Sequence, residues 1–143
     1  MITLGRLRRL TAAERRLLVR AFVVVVKFRL AVSLLPWRYL IAFTKQPRTR
    51  RSSRLSVRRL EWAVRWASRA VPRATCLTQA LALNHLLAYH GYPCVLHIGV
   101  NNDRGRFAAH AWVELHGTAL LSNEATVSGY SRFLTWPPRP DRS

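Results

Sequence analysis

The segment that decides the fold reads Thr75-Cys76-Leu77-Thr78-Gln79-Ala80-Leu81-Ala82-Leu83. Threonine is a good helix cap, and the residues after Thr75 are apolar on nearly every side as far as about Tyr89. Gly91 and Pro93 then prevent the helix from continuing. Because a helix that is apolar all round needs neighbours on most of its sides, the sequence predicts a central helix that begins at Cys76.

The sequence after Pro93 alternates with a period of two, which is typical of strands. The pattern predicts a strand from Cys94 to Val100 and a second from Phe107 to Leu115. The pair His116-Gly117 suits a tight turn, and a third strand is expected from Thr118 to about Glu124. Helices and a small antiparallel sheet give an α+β fold.

The part of the chain before the central helix reads as helical and basic. Thr11-x-x-Glu14 has the form of a capping box, and a helical apolar pattern follows it until Pro36. Residues 44–54 have no apolar period and are interpreted as a basic linker, and helical spacing returns over residues 55–70. The prediction is a basic helical extension and linker at 1–54, a core at 55–136 and a disordered tail at 137–143.

Length and composition limit the class of protein. Half of the 143 residues are hydrophobic, which suffices for one core, and the formal charge of +18 predicts attraction to anionic partners. Two cysteines without a secretory signal favour a reduced, cytoplasmic setting. No membrane span is expected between residues 17 and 43, because four basic residues interrupt that stretch.

Cys76 and His110 are the candidate reactive pair. A thiol in the first turn of a helix lies near free backbone amides, which favour thiolate over thiol, and an imidazole beside it completes a nucleophile and its base. If His116-Gly117 is a two-residue loop, Asn123 lies opposite His110; with a three-residue loop, Glu124 does. The alternative for the cysteine and the histidine alike is a structural role.

Other thiol and imidazole groups are given structural roles. Cys94 alternates with Leu96 and Ile98 and is expected to be a core residue. The remaining histidines have no spacing relative to a cysteine that is typical of zinc sites, so no metal is expected.

Several motifs together resemble one family. These are Cys76-Leu77-x-x-Ala80-Leu81-Ala82-Leu83, Gly91-Tyr92-Pro93, Ile98-Gly99-Val100 and Phe107-x-Ala109-His110-Ala111-Trp112-Val113-Glu114, within about Leu60 to Leu134. The pattern resembles the transglutaminase-like leader peptidases of lasso peptide biosynthesis. The resemblance implies a papain-like cysteine protease core that cuts the leader from a ribosomally made precursor.

The resemblance also implies residue roles and partners. By position, Cys76 is the nucleophile and His110 the base; Glu124 is the preferred third residue in place of the family's aspartate, with Asn123 second and Glu114 structural. No cofactor is expected on this chain. The expected partners are the precursor peptide, a separate leader-recognition protein and a lactam-forming, asparagine-synthetase-like cyclase that consumes ATP.

The alternative to an enzyme is a basic module that binds nucleic acid or an anionic membrane surface. It would use residues 48–59 and the arginine face of the first helix. Nucleic acid is not an expected partner of the peptidase, whereas peripheral membrane contact is compatible with it.

Overall fold

A computed structural model describes residues 8–44 and 55–136. The elements in chain order are α1 (Ala12–Leu34), α2 (Trp37–Thr44), α3 (Val57–Ala70), α4 (Cys76–Tyr89), β1 (Cys94–Asp103), β2 (Arg106–Leu115), β3 (Thr118–Leu120), α5 (Glu124–Ser128) and β4 (Ser131–Trp136). The α+β class predicted from the sequence is confirmed.

Helix α1 begins at the predicted capping box. The Glu14 amide donates to Thr11 Oγ1 at 3.2 Å, and the Thr11 amide donates to Glu14 Oε2 at 2.8 Å. Its inner face is buried and consists of Leu17, Ala21, Val24, Val25 and Phe28. A second set of large apolar side chains lies in solvent on the opposite face: Val19, Val23, Leu30 and Leu34. We call this set the outer face of α1. In the described residues, no helix combines the length and apolar character that a membrane span requires.

The core surrounds α4, as its apolar sequence predicts. Leu81, Leu83 and Leu87 are almost fully buried and belong to one cluster with side chains from α1, α3 and the sheet. Phe28 of α1 belongs to this same cluster, so α1 packs directly on the core. Residue 44 of the predicted linker ends α2, whereas residues 45–54 and the predicted tail at 137–143 lie outside the described residues.

The sheet is antiparallel, with strand order β3-β2-β1-β4. β1 and β2 form a long hairpin in which Gly99 lies opposite His110. The turn between them is shorter than expected: residues 101–103 continue β1, and only Arg104 and Gly105 turn, both with positive φ. His116 and Gly117 form the predicted two-residue turn, with Leu115 opposite Thr118.

The region after this turn differs from the prediction. The third strand stops at Leu120 instead of continuing to about Glu124, because Leu121 adopts a left-handed φ of 62° and leaves the ladder. Asn123 then caps the short helix α5. The chain returns as β4 on the other side of β1, where Leu134 pairs with Ile98. Neither α5 nor β4 was predicted from the sequence.

Candidate active site

Cys76 is the first residue of α4, where the sequence places it. Thr75 is the N-cap, and its hydroxyl accepts the Thr78 amide at 3.4 Å. Cys76 is a free, partly exposed thiol, in contrast to buried Cys94. Since the first amides of a helix have no acceptor inside it, the start of α4 offers hydrogen-bond donors next to the sulfur.

His110 lies on β2 among aromatic rings. Its ring centroid is 6.1 Å from that of Trp112, in a stacked arrangement, and 5.4 Å from that of Tyr130. Trp112 is fully buried, and Gly99 on the neighbouring strand leaves the space that Trp112 and Tyr130 occupy. The histidine therefore has a fixed position on the sheet.

The two predicted residues share one pocket. Cys76 and His110 both line a cavity of about 320 Å³ between the start of α4 and the sheet. Trp37 of α2 and Phe133 of β4 complete its rim. Neither aromatic residue was singled out from the sequence, because their elements reach the pocket only through tertiary packing.

The partner of His110 is neither of the two predicted candidates. His110 Nε2 lies 2.9 Å from Ser122 Oγ. The Asn123 side chain instead accepts the Thr126 amide as the cap of α5, and Glu124 is exposed at the first position of that helix. The geometry therefore gives the orienting position to Ser122.

A contact from α3 explains why Ser122 reaches the histidine. Leu121 donates its amide to Glu61 Oε1 at 2.9 Å, which holds the bend at the end of β3. The sequence signal for this arrangement is Asn123 followed by Glu124, since an asparagine cap and an acidic first turn favour a helix start over a strand.

A comparison with protein families identifies the superfamily of the domain. The model of the transglutaminase-like superfamily matches residues 22–135, most of the chain. The chain belongs to the transglutaminase-like superfamily. This superfamily includes cysteine proteases. Comparison with the curated proteins and with the solved structures gave no match.

A second histidine, His97, shares the neighbour Trp112 with His110 but has different polar partners. His97 is fully buried; its Nε2 lies 3.1 Å from Glu114 Oε2, and its Nδ1 lies 3.0 Å from Thr135 Oγ1. Arg132 approaches the same Glu114 oxygen at 3.3 Å. This network joins β1, β2 and β4, and the His97 ring lies 5.4 Å from that of Trp112.

Burial changes the acid–base behaviour of His110. Partial desolvation lowers the pKa of His110 from its ordinary value, because burial disfavours the charged imidazolium. The neutral ring is the form that accepts a proton from a thiol. When Nε2 donates to Ser122 Oγ, the lone pair of Nδ1 is left for that proton.

For a reaction that uses Cys76 as nucleophile and His110 as base, we expect kcat/KM to rise along an acid limb whose midpoint lies below pH 6.5, the ordinary pKa of histidine. The rate rises with pH because the neutral base becomes more populated as pH passes the pKa of His110. Stopped assays from pH 4 to 8 would locate the limb. Tyr130→Ala, which uncovers one side of the ring, should move the midpoint upward; a wild-type midpoint at or above 6.5 contradicts the assignment.

Ser122→Ala should lower kcat by about two- to thirteenfold, which corresponds to the loss of one neutral hydrogen bond of about 0.5–1.5 kcal/mol, with little change in KM. The comparison is Glu124→Gln, which removes a charge that makes no contact with His110 and should leave kcat unchanged. Steady-state kinetics of the two purified variants distinguish the orienting residues. A larger loss in Glu124→Gln than in Ser122→Ala would restore the assignment made from the sequence.

Proposed function

We propose that the protein is a cysteine endopeptidase that removes the leader from a lasso peptide precursor. The observation that carries the hydrolase chemistry is the shared pocket of Cys76 and His110, with His110 bound to Ser122. The motifs around both residues support the choice of a leader peptide as substrate.

The proposed reaction has two halves. His110 Nδ1 takes the thiol proton as Cys76 Sγ attacks the scissile carbonyl carbon, and amides of the first turn of α4 stabilise the oxyanion. The carbon–nitrogen bond breaks, the departing amine takes the proton from His110, and a thioester remains on Cys76. Water then attacks the thioester and gives one proton to His110. The carbon–sulfur bond breaks, His110 returns that proton to Sγ to restore the thiol, and the released leader acid loses its remaining proton to solvent to become the carboxylate.

The experiment is cleavage of the precursor in water that is enriched in the heavy isotope of oxygen. A lasso precursor peptide that carries its leader is incubated with the purified protein and a leader-recognition protein, and the masses of the products are measured by mass spectrometry. We expect two fragments, with one heavy oxygen in the new leader carboxylate, because water resolves the thioester. Intact precursor after prolonged incubation would refute the proposal.

The same experiment distinguishes hydrolysis from acyl transfer. An acyltransferase or amidase on this scaffold would pass the acyl group to an amine or act on a different amide. With an amine such as glycine amide added in excess, a hydrolase still gives mainly the labelled carboxylate. A dominant amide product would identify a transferase.

The partners proposed are the leader-recognition protein and the ATP-consuming cyclase. The outer face of α1 supports a protein contact, because four large apolar side chains lie in solvent there with Arg16, Arg20 and Lys27 nearby. Val23→Asp should weaken co-purification with the recognition protein, whereas Thr118→Asp, on an exposed part of β3, should not.

The alternative of a basic nucleic-acid module has less support. In α1 the arginines alternate with exposed apolar side chains. A phosphate backbone would leave those apolar side chains in water. Salt-sensitive retention of duplex DNA by the purified protein, without precursor cleavage, would favour this alternative.

A further inference from the structure

The pocket beside Cys76 is apolar except for the reactive pair itself. Of the eight described residues that line it, six are apolar: Trp37, Leu77, Ile98, Ala109, Ala111 and Phe133. Its volume of about 320 Å³ is at the lower end of the range of about 300–1,000 Å³ for small-molecule sites. The cavity therefore suits a side chain better than a bulky cofactor.

Two aromatic rings at the rim are unusually open to solvent. Phe133 is 78% exposed and Trp37 is 41% exposed. They come from opposite parts of the chain, since Trp37 begins α2 and Phe133 lies on β4, beside the register shift between Ile98 and Gly99. An apolar group bound between them would remove both rings and itself from water, which is favourable.

A charged group would be poorly accommodated. Leu77, Ile98 and Phe133 offer neither hydrogen bonds nor an opposite charge, and burying an unpaired charge is costly. Among the described residues, no arginine or lysine lines this pocket. The walls thus favour apolar over charged side chains.

We propose that this pocket binds the apolar side chain of a residue flanking the scissile bond, with Trp37 and Phe133 as the specificity-determining residues. The inference rests on the proposed function, since it assigns a substrate class to the same site. With this pocket, the enzyme itself would select substrates by the side chain beside the scissile bond, independently of any recognition protein.

Alkylation of Cys76 tests the pocket without requiring peptidase activity. The probes are N-benzyl iodoacetamide and an iodoacetamide of similar size that ends in a carboxylate. Rates are measured by intact mass and divided by the rates with glutathione, and Cys76→Ala identifies any labelling of Cys94. We expect the benzyl probe to react faster with Cys76 by about tenfold, the discrimination typical of a hydrophobic pocket.

Matched aromatic variants test the two walls. Phe133→Ala should reduce the preference to about threefold or less, whereas Phe107→Ala should not, because Phe107 is 72% exposed on β2 and does not line the pocket. Trp37→Ala and Tyr39→Ala form a second pair on α2. Circular dichroism would check that all four variants fold.

The outcomes separate this inference from the peptidase itself. A wild-type preference near one, no labelling of Cys76, or an equal loss in Phe107→Ala would overturn the pocket assignment, even if the precursor is cleaved. A clear preference with an uncleaved precursor would support the pocket and refute the peptidase. Cleavage that slows when an acidic residue flanks the scissile bond would support both.

Discussion

Replacement of Cys76 by alanine is expected to abolish precursor cleavage, with a loss of at least about a thousandfold in kcat. The thiol is the only nucleophile that the described residues bring into the pocket with His110. Without it, neither the thioester nor proton transfer to His110 Nδ1 can occur. Substrate binding should survive, because the apolar walls of the pocket are unchanged. The measurement is single-turnover cleavage of the precursor followed by mass spectrometry.

The matched control is Cys94→Ala. Cys94 is buried on β1. Its thiol lies 3.3 Å from Oδ1 of Asn84, a residue of α4, and Cys94 does not line the pocket of Cys76. Its loss should leave kcat close to that of the wild type and only modestly reduce stability. Residual cleavage in Cys76→Ala at more than a tenth of the wild-type rate would exclude the cysteine mechanism.

Local signals explain what the sequence could predict. The cap at Thr75, the capping box at Thr11 and the period-two alternation of β1 and β2 each depend on residues close together in the chain. They placed Cys76 at a helix start and His110 on a strand. The sharing of a pocket by these two residues agrees with the predicted pair, and its catalytic role stays a prediction.

Long-range contacts explain what the sequence could not predict. The end of β3 depends on Glu61, sixty residues earlier in the chain, and this contact places Ser122 beside His110 instead of Asn123 or Glu124. Trp37 likewise reaches the pocket only through tertiary packing, because α1 packs on the core and α2 contacts α1 and α4. The prediction continued β3 beyond Leu120 as a regular strand. Leu121 has a left-handed φ, and the strand therefore ends at Leu120.

Gly99→Ala is the second large effect that we expect, and it acts on stability and on catalysis together. A methyl group there would lie 2.8 Å from Tyr130 Cβ and 2.9 Å from Trp112 Cζ3. Tyr130 Cβ is fixed by its backbone, and Trp112 is fully buried, so neither can move away freely. Overpacking of this kind costs about 1–3 kcal/mol in the free energy of unfolding.

The catalytic consequence follows from the rings that must shift. Among the described residues, Trp112 and Tyr130 place their rings beside that of His110, so a displacement of either is expected to turn the imidazole relative to Cys76 and Ser122. We expect kcat to fall by about a hundredfold, as for small misplacements of catalytic groups. Chemical denaturation and steady-state kinetics on the folded fraction would measure the two effects separately.

Gly129→Ala provides the matched control for Gly99→Ala. A methyl group at Gly129 would lie 3.6 Å from the nearest atom, the Thr126 carbonyl oxygen, and its φ of −77° suits any residue. The substitution should therefore change stability by less than about 0.5 kcal/mol and leave kcat unaltered. If Gly99→Ala retained wild-type kcat at temperatures where it is fully folded, Trp112 and Tyr130 would contribute to stability without positioning His110. A comparable loss in both variants would mean that the specific contacts of Gly99 do not explain the effect.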